Sequence, residues 1–143
     1  MASIPSDPLT GRVVIDTDNS YPDRDGQIAE LDDEVLTTSE YVARHFGGAT
    51  VVKAFNRIPA LHIAEHAQPV GTPERRALMI DGEDAAAVER VEALTDEIGF
   101  DAINGGGLAE SWQIQRDTPG YGPRFSAGEL GKNLSVARRY SDM

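Results

Sequence analysis

Two asparagines stand where this sequence could best organise chemistry on a small ligand. Asn19 follows the apolar run Val13-Val14-Ile15-Asp16, and Asn56 closes the run Val51-Val52-Lys53-Ala54-Phe55. Open α/β sheets bind ligands in the crevice just outside the carboxyl ends of their strands, so the pair marks half of such a crevice. Each asparagine also has a plainer explanation, since Asn commonly satisfies backbone groups in its own turn. Tyr21 and Pro22 beside the first asparagine, and Ile58-Pro59-Ala60 beside the second, offer apolar walls; Pro59 equally suits the start of a helix. Lys53, in mid-strand, is expected to reach the sheet rim and pair with a carboxylate in preference to touching a cofactor phosphate.

A second constellation competes with the first. His62-Ile63-Ala64-Glu65-His66 spells H-x-x-E-H, which places two histidines at i,i+4 on one helical face, as in inverted zinc proteases. Zinc would need a third protein ligand and a rigid helix, whereas this segment is short and lies between Pro59 and Pro69. Histidines on an amphipathic turn account for the pattern more simply, and no metal site is expected. The third histidine, His45, falls near a helix C-terminus, where the dipole favours it. No G-x-G-x-x-G and no P-loop occurs in the 143 residues. Gly105-Gly106-Gly107 lacks a following Lys-Ser/Thr and reads as a flexible turn. The absence of cysteine excludes thiolate nucleophiles, disulfides and cysteine metal sites. No side chain is singled out as catalytic.

The elements that must position these residues alternate. Arg12–Asp16 reads as a strand covered on both faces, because its apolar core does not alternate. Asn19 to Asp33 is a polar loop, too long for a purely structural role in a compact domain. Thr37-x-x-Glu40 fits a capping box, Val42 and Phe46 share a face, and Gly47-Gly48 ends the helix. Thr50–Phe55 is the next strand, Pro59–His66 a short helix and Arg76–Ile80 a third strand with Asp81-Gly82 as its exit turn. Asp84 to Ile98 is a helix with the stripe Val88, Val91, Leu94, Ile98 and Gly99 just past its end. Phe100–Ile103 is a weaker fourth strand. Trp112 to Phe125 reads as an irregular arm in which Trp112 and Tyr121 pack across the sheet or onto a second subunit. Ser126-x-x-Glu129 caps a final helix through Leu130, Leu134 and Ala137.

The pattern predicts an α/β fold: a partial Rossmann-like, mostly parallel sheet of about four strands with flanking helices and an irregular C-terminal arm. In this division 1–11 is a lead, 12–104 the core, and 105–143 the arm and last helix. With 40% hydrophobic residues the chain can bury a real core as one domain. Thirteen basic residues against 24 acidic ones give a net charge of -11, which speaks against nucleic acid and anionic membrane partners. No apolar run approaches a membrane span and the N-terminus lacks signal-peptide character, so a cytoplasmic protein is expected.

With these elements placed, a resemblance emerges. Val13-Val14-Ile15-Asp16-Thr17-Asp18-Asn19-Ser20-Tyr21-Pro22 and Val51-Val52-Lys53-Ala54-Phe55-Asn56 resemble late-strand motifs of the NADP-dependent deazaflavin reductases. These belong to a group of dinucleotide-binding oxidoreductases that also includes the cytoplasmic domain of metal-reducing transmembrane reductases. Arg24-Asp25-Gly26, Thr38-Ser39-Glu40, Ala77-Leu78-Met79-Ile80-Asp81-Gly82-Glu83-Asp84 and Gly107-Leu108-Ala109-Glu110-Ser111-Trp112 follow in that family's order, from about Arg12 to Pro123. Asn104-Gly105-Gly106-Gly107 departs from it, since the family tends to have Asp-Ala-Gly-Pro there.

The resemblance implies NADP(H) and a flavin or deazaflavin as cofactors, with Asn19, Tyr21, Asn56, Ile58 and Pro59 contacting them and a small-molecule redox partner. Hydride transfer needs no protein nucleophile, because the cofactor supplies that chemistry. The family's first βα unit, with its Gly-rich turn, has no counterpart in the sequence. The chain therefore reads as the carboxyl-side half of the domain, weak or inactive on its own. A rival of another class is a non-catalytic module acting through protein pairing, as a homodimer or at an open strand edge. A zinc hydrolase built on His62 and His66 is the third reading.

Overall fold

Four strands lie in one sheet in chain order: β1 (Val13–Asp16), β2 (Thr50–Lys53), β3 (Ala77–Gly82) and β4 (Asp101–Gly106). The computed structural model describes residues 4–142. β1 runs parallel to β2 and β3 parallel to β4, while β2 meets β3 antiparallel through Val52 opposite Gly82 and Lys53 opposite Asp81. The sheet is the mostly parallel, partial Rossmann-like α/β layer expected. The antiparallel junction is an addition to that expectation, because apolar runs carry no signal of strand direction. Among the described residues, β1 has a strand on one side only.

Helices cover both faces. α5 (Ala85–Ile98) spans the crossover from β3 to β4 and packs Ala87, Val88 and Val91 on Val52, Ala54 and Ile80. Asp84 caps it by accepting from the Ala87 amide at 2.8 Å, and Gly99, at φ 123°, ends it. Its inward stripe is not the one expected. Leu94 is 38% exposed, and Thr95 takes the buried place with its hydroxyl bonded to the Val91 carbonyl. On the opposite face α3 (Thr38–His45) sets Val42, with Phe46 just beyond it, against Val51 and Leu108. The Thr37–Glu40 capping box is present in both directions, so the helix start is fixed as the sequence indicated.

Several elements differ from expectation. The loop 19–33 holds two short helices, α1 (Pro22–Asp25) and α2 (Ala29–Asp32). Pro59 caps α4 (Ala60–Glu65) and lies outside its first turn. Asp81 and Gly82 are not an exit turn but the end of β3, and Asn104 to Gly106 belong to β4. The pairing of these strands shifts at Ile80/Asp81, and Gly105 is the residue left over. A Cβ on Gly105 would lie 2.1 Å from both Asp81 Oδ1 and Met79 Cε, so glycine is needed there for close approach and not for flexibility. Trp112 is part of a 3-10 helix, Leu108–Ile114, and α6 (Ala127–Ser135) stops before Ala137.

A row of charge crosses the α3 side of the sheet. Asp16, Lys53 and Asp81 occupy matched positions on β1, β2 and β3, and all three are buried. Lys53 therefore does not reach the rim. Its Nζ donates to Asp16 Oδ2 at 2.9 Å and to the Asp18 carbonyl, while Ser39 Oγ donates to the same Asp16 oxygen at 2.7 Å. One ammonium cannot neutralise two carboxylates. Asp81, whose oxygens have no hydrogen-bond partner among the described residues, is pushed up to about 8 by burial; Lys53 opposes that shift and Glu110 adds to it.

The folded state thus holds the Asp81 proton over a range in which the unfolded chain, with an ordinary value near 3.8, has lost it. This contribution is complete below the unfolded value and disappears as pH rises towards 8. Urea unfolding is expected to show stability falling between pH 5 and 8 by on the order of 1 kcal/mol per pH unit, with the slope largely removed in Asp81→Asn. An unchanged slope in that variant would contradict the assignment.

Candidate functional site

Because β1 and β2 are parallel and in register, their chains leave the sheet side by side. Asn19 Nδ2 donates to the Asn56 carbonyl at 2.8 Å, and Asn56 Nδ2 donates to Asn19 Oδ1 at 3.1 Å and to the Ile114 carbonyl at 2.9 Å. The asparagines thus clasp each other across the two strand ends. Between β2 and Asn56 the backbone turns through Phe55 at φ 60°, a left-handed conformation that a bulky aromatic residue rarely adopts.

The turn opens onto a cleft of about 510 Å³. Asn19, Tyr21, Asn56, Ile58 and Pro59, all five residues singled out in the sequence, line it. Phe55, Ile63, Arg57 and Tyr121 join them. The volume falls within the range of small-molecule sites, and the lining mixes apolar walls with polar groups. Pro22 faces a neighbouring cavity of about 310 Å³ that also reaches Asn19. Asn56 Oδ1 and Gln115 Nε2 are buried without a partner among the described residues, and both residues line an inner cavity of about 10 Å³ beside Lys53. That space matches a single water molecule.

Tyr121 and Arg57 were not read from the sequence as site residues. The Tyr121 hydroxyl meets that of Tyr21, 100 positions away, at 2.5 Å. Burial first, and then this bond, push Tyr121 up to about 12, so it stays protonated at neutral pH. The Tyr21 ring carries the Arg24 guanidinium 4.7 Å from its centroid. No local pattern announces a contact over such a separation. Tyr121 thus contacts Tyr21 of its own chain, and the Arg139 guanidinium lies 4.8 Å from the Trp112 ring centroid. The signal for Arg57 was available: a charged residue directly after Asn56, between Phe55 and Ile58.

No family model matches the chain. It is 31% identical over 87 residues to the protein YjhV of Escherichia coli (strain K12), a stretch covering 61% of this chain and 63% of that one. The crystal structure of a hypothetical protein, SMa0349 from Sinorhizobium meliloti, superimposes with a TM-score of 0.68 at 29% identity, covering 82% of this chain and 56% of the other. A protein from Arthrobacter sp. FB24, provisionally described as an F420-dependent NADP reductase, superimposes with a TM-score of 0.58 at 25% identity, covering 74% and 48% respectively. The fold is distantly NADP-reductase-like. The chain spans less than two thirds of the length of each of these relatives.

The rival histidine site lies elsewhere on this reductase-like fold. His62, Glu65 and His66 do converge, with candidate ligand atoms all within 4.8 Å of one another. The two imidazoles stack at 4.3 Å between centroids, and Arg76 Nη1 donates to His66 Nδ1 at 2.9 Å. That bond leaves the His66 proton on Nε2, the atom a metal would require, and brings a permanent cation against the ring. Burial, the His62 ring and Arg76 all lower the His66 pKa. Metal analysis after incubation with zinc is expected to find well below one equivalent; stoichiometric zinc lost in His66→Ala would contradict this reading.

Proposed function

We propose that the chain takes part in NADP(H)-dependent oxidoreduction of the deazaflavin or flavin reductase type, with the cleft at the ends of β1 and β2 receiving the redox-active ring. The observation that carries this reading is the gathering of Asn19, Tyr21, Asn56, Ile58 and Pro59 around one cleft. A planar ring fits it. Phe55, Ile58 and Pro59 supply apolar walls that exclude water, while Asn19 and the Tyr21–Tyr121 hydroxyl pair offer polar groups along its edge.

A nicotinamide–flavin couple would supply the hydride chemistry when bound, and the protein's part is orientation. The inner amide clasp holds both asparagines in place before a ligand arrives, so little ordering cost falls on binding. The distant likeness to a protein provisionally described as an F420-dependent NADP reductase supports the choice of cofactors. The dinucleotide's pyrophosphate is a different matter. No Gly-rich strand-to-helix turn occurs in the sequence to hold it.

Fluorescence titration of this chain with riboflavin and with NADPH tests both halves of the reading. The ring ligand should bind in the micromolar range, and Ala60→Trp, which fills the cleft mouth from an exposed position, should weaken it roughly tenfold or more without lowering the melting temperature. NADPH alone should bind only weakly. No ring binding, or ring binding indifferent to Ala60→Trp, would contradict the cleft assignment; micromolar NADPH binding would contradict the account of the phosphates.

A further inference from the structure

Arg57 and Arg76 are each 1% exposed, and among the described residues no carboxylate pairs with either. Arg57 donates from Nε to the Gly120 carbonyl at 2.6 Å, from Nη1 to Ala77 at 2.7 Å and from Nη2 to Pro123 at 2.8 Å. Arg76 donates from Nη2 to the carbonyls of Gly122 at 3.0 Å and Arg57 at 3.3 Å, and from Nη1 to His66, while its Nε is buried without a partner.

All these acceptors are neutral. They satisfy N–H groups but leave the charge uncompensated, and an unpaired buried ion is costly. The two cations sense each other. Burial and then the Arg76 charge bring Arg57 down to about 10, and burial followed by the exposed Arg124 lowers Arg76. A chain with 24 acidic residues against 13 basic ones has thus left two buried arginines without a carboxylate bonded to either among the described residues, while the exposed Arg124 nearby has Glu129 within its field.

This positive locus is not remote from the cleft. Arg57 lines it together with Tyr121 and Gly122. Three of the five N–H groups of its guanidinium go to carbonyls, leaving two uncommitted. A guanidinium fork matches the oxygens of phosphate, and the neighbouring buried charges of Arg57 and Arg76 suit a dianion better than a single carboxylate.

We propose that the Arg57 end of the cleft is an anion subsite that takes the phosphoryl group of the ligand whose ring the cleft receives. The inference rests on the cleft reading and adds the ligand's charge to it. It also gives the arginines a role beyond fastening residues 120–123 to the sheet.

FMN and riboflavin separate the two ideas, because they share one ring and differ by a phosphate. At low ionic strength FMN should bind roughly tenfold or more tightly than riboflavin, with the ratio falling as salt screens the charges. Arg124→Gln changes an exposed residue and leaves the buried pair intact. It should narrow the ratio about threefold while riboflavin affinity and melting temperature stay as they are. Equal affinities for FMN and riboflavin would overturn the anion subsite and leave the ring site standing. If neither flavin binds but inorganic phosphate shifts the Arg57 Nε–H resonance, the subsite stands and the ring reading fails. No response to flavins or phosphate would overturn both.

Discussion

A buried ion pair between Lys53 and Asp16 is the interaction on which the rest of the site depends. Those residues are register partners at the ends of two parallel strands, and the lysine also holds the Asp18 carbonyl, one residue before Asn19. Asp16 in turn takes the Ser39 hydroxyl from α3 and, through Oδ1, the Asp18 amide at 2.9 Å. One pair therefore ties β1, β2, a covering helix and the start of the loop that carries Asn19. Burying two charges gains little net stability over an apolar pair. Here it serves geometry: the two strand exits are held at the separation at which Asn19 and Asn56 can reach each other. Asp81 completes the row at the expense of its own ionisation.

A second set of buried charges organises the far side of the cleft. Residues 120, 122 and 123 give their carbonyls to two buried guanidinium groups, so Tyr121 between them is presented to Tyr21 from a fixed segment. Electrostatics thus frames both sides of a cleft whose walls are otherwise apolar. Of the four buried cations among the described residues, Arg57 and Arg76 lie at this end, and neither has a carboxylate bonded to it.

Much of this was legible in the residues. Runs such as Val51-Val52 announce a buried strand, whereas Val13–Asp16, read as covered on both faces, is half-buried at three of its four positions because it lies at the sheet edge. The Thr37–Glu40 and Ser126–Glu129 boxes mark helix starts because their side chains reach back to the cap at that spacing. Asn19 and Asn56 were singled out from their place just past strand ends, and Tyr21, Ile58 and Pro59 as candidate walls beside them; the structure gathers the five around one cleft. What the sequence hid were contacts between distant segments and violations of ordinary expectation. Asp81 reads as a turn because a carboxylate seldom occupies a central strand, and Gly105 reads as flexible although side chains crowd the space a Cβ would take. Leu94 and Thr95 exchanged places because the Thr95 hydroxyl returns to its own helix and can be buried. The Tyr21–Tyr121 contact has no local sequence signature.

Hydrogen exchange and chemical denaturation of Lys53→Met test most directly whether the buried pair sets the site. The variant keeps the length of the side chain and leaves Asp16 buried without its cation. The account predicts a loss of roughly 3–5 kcal/mol, faster exchange of the Asp18 amide, and altered side-chain amide resonances of Asn19 and Asn56. Wild-type stability together with unchanged Asp18 protection and unchanged asparagine resonances would contradict it.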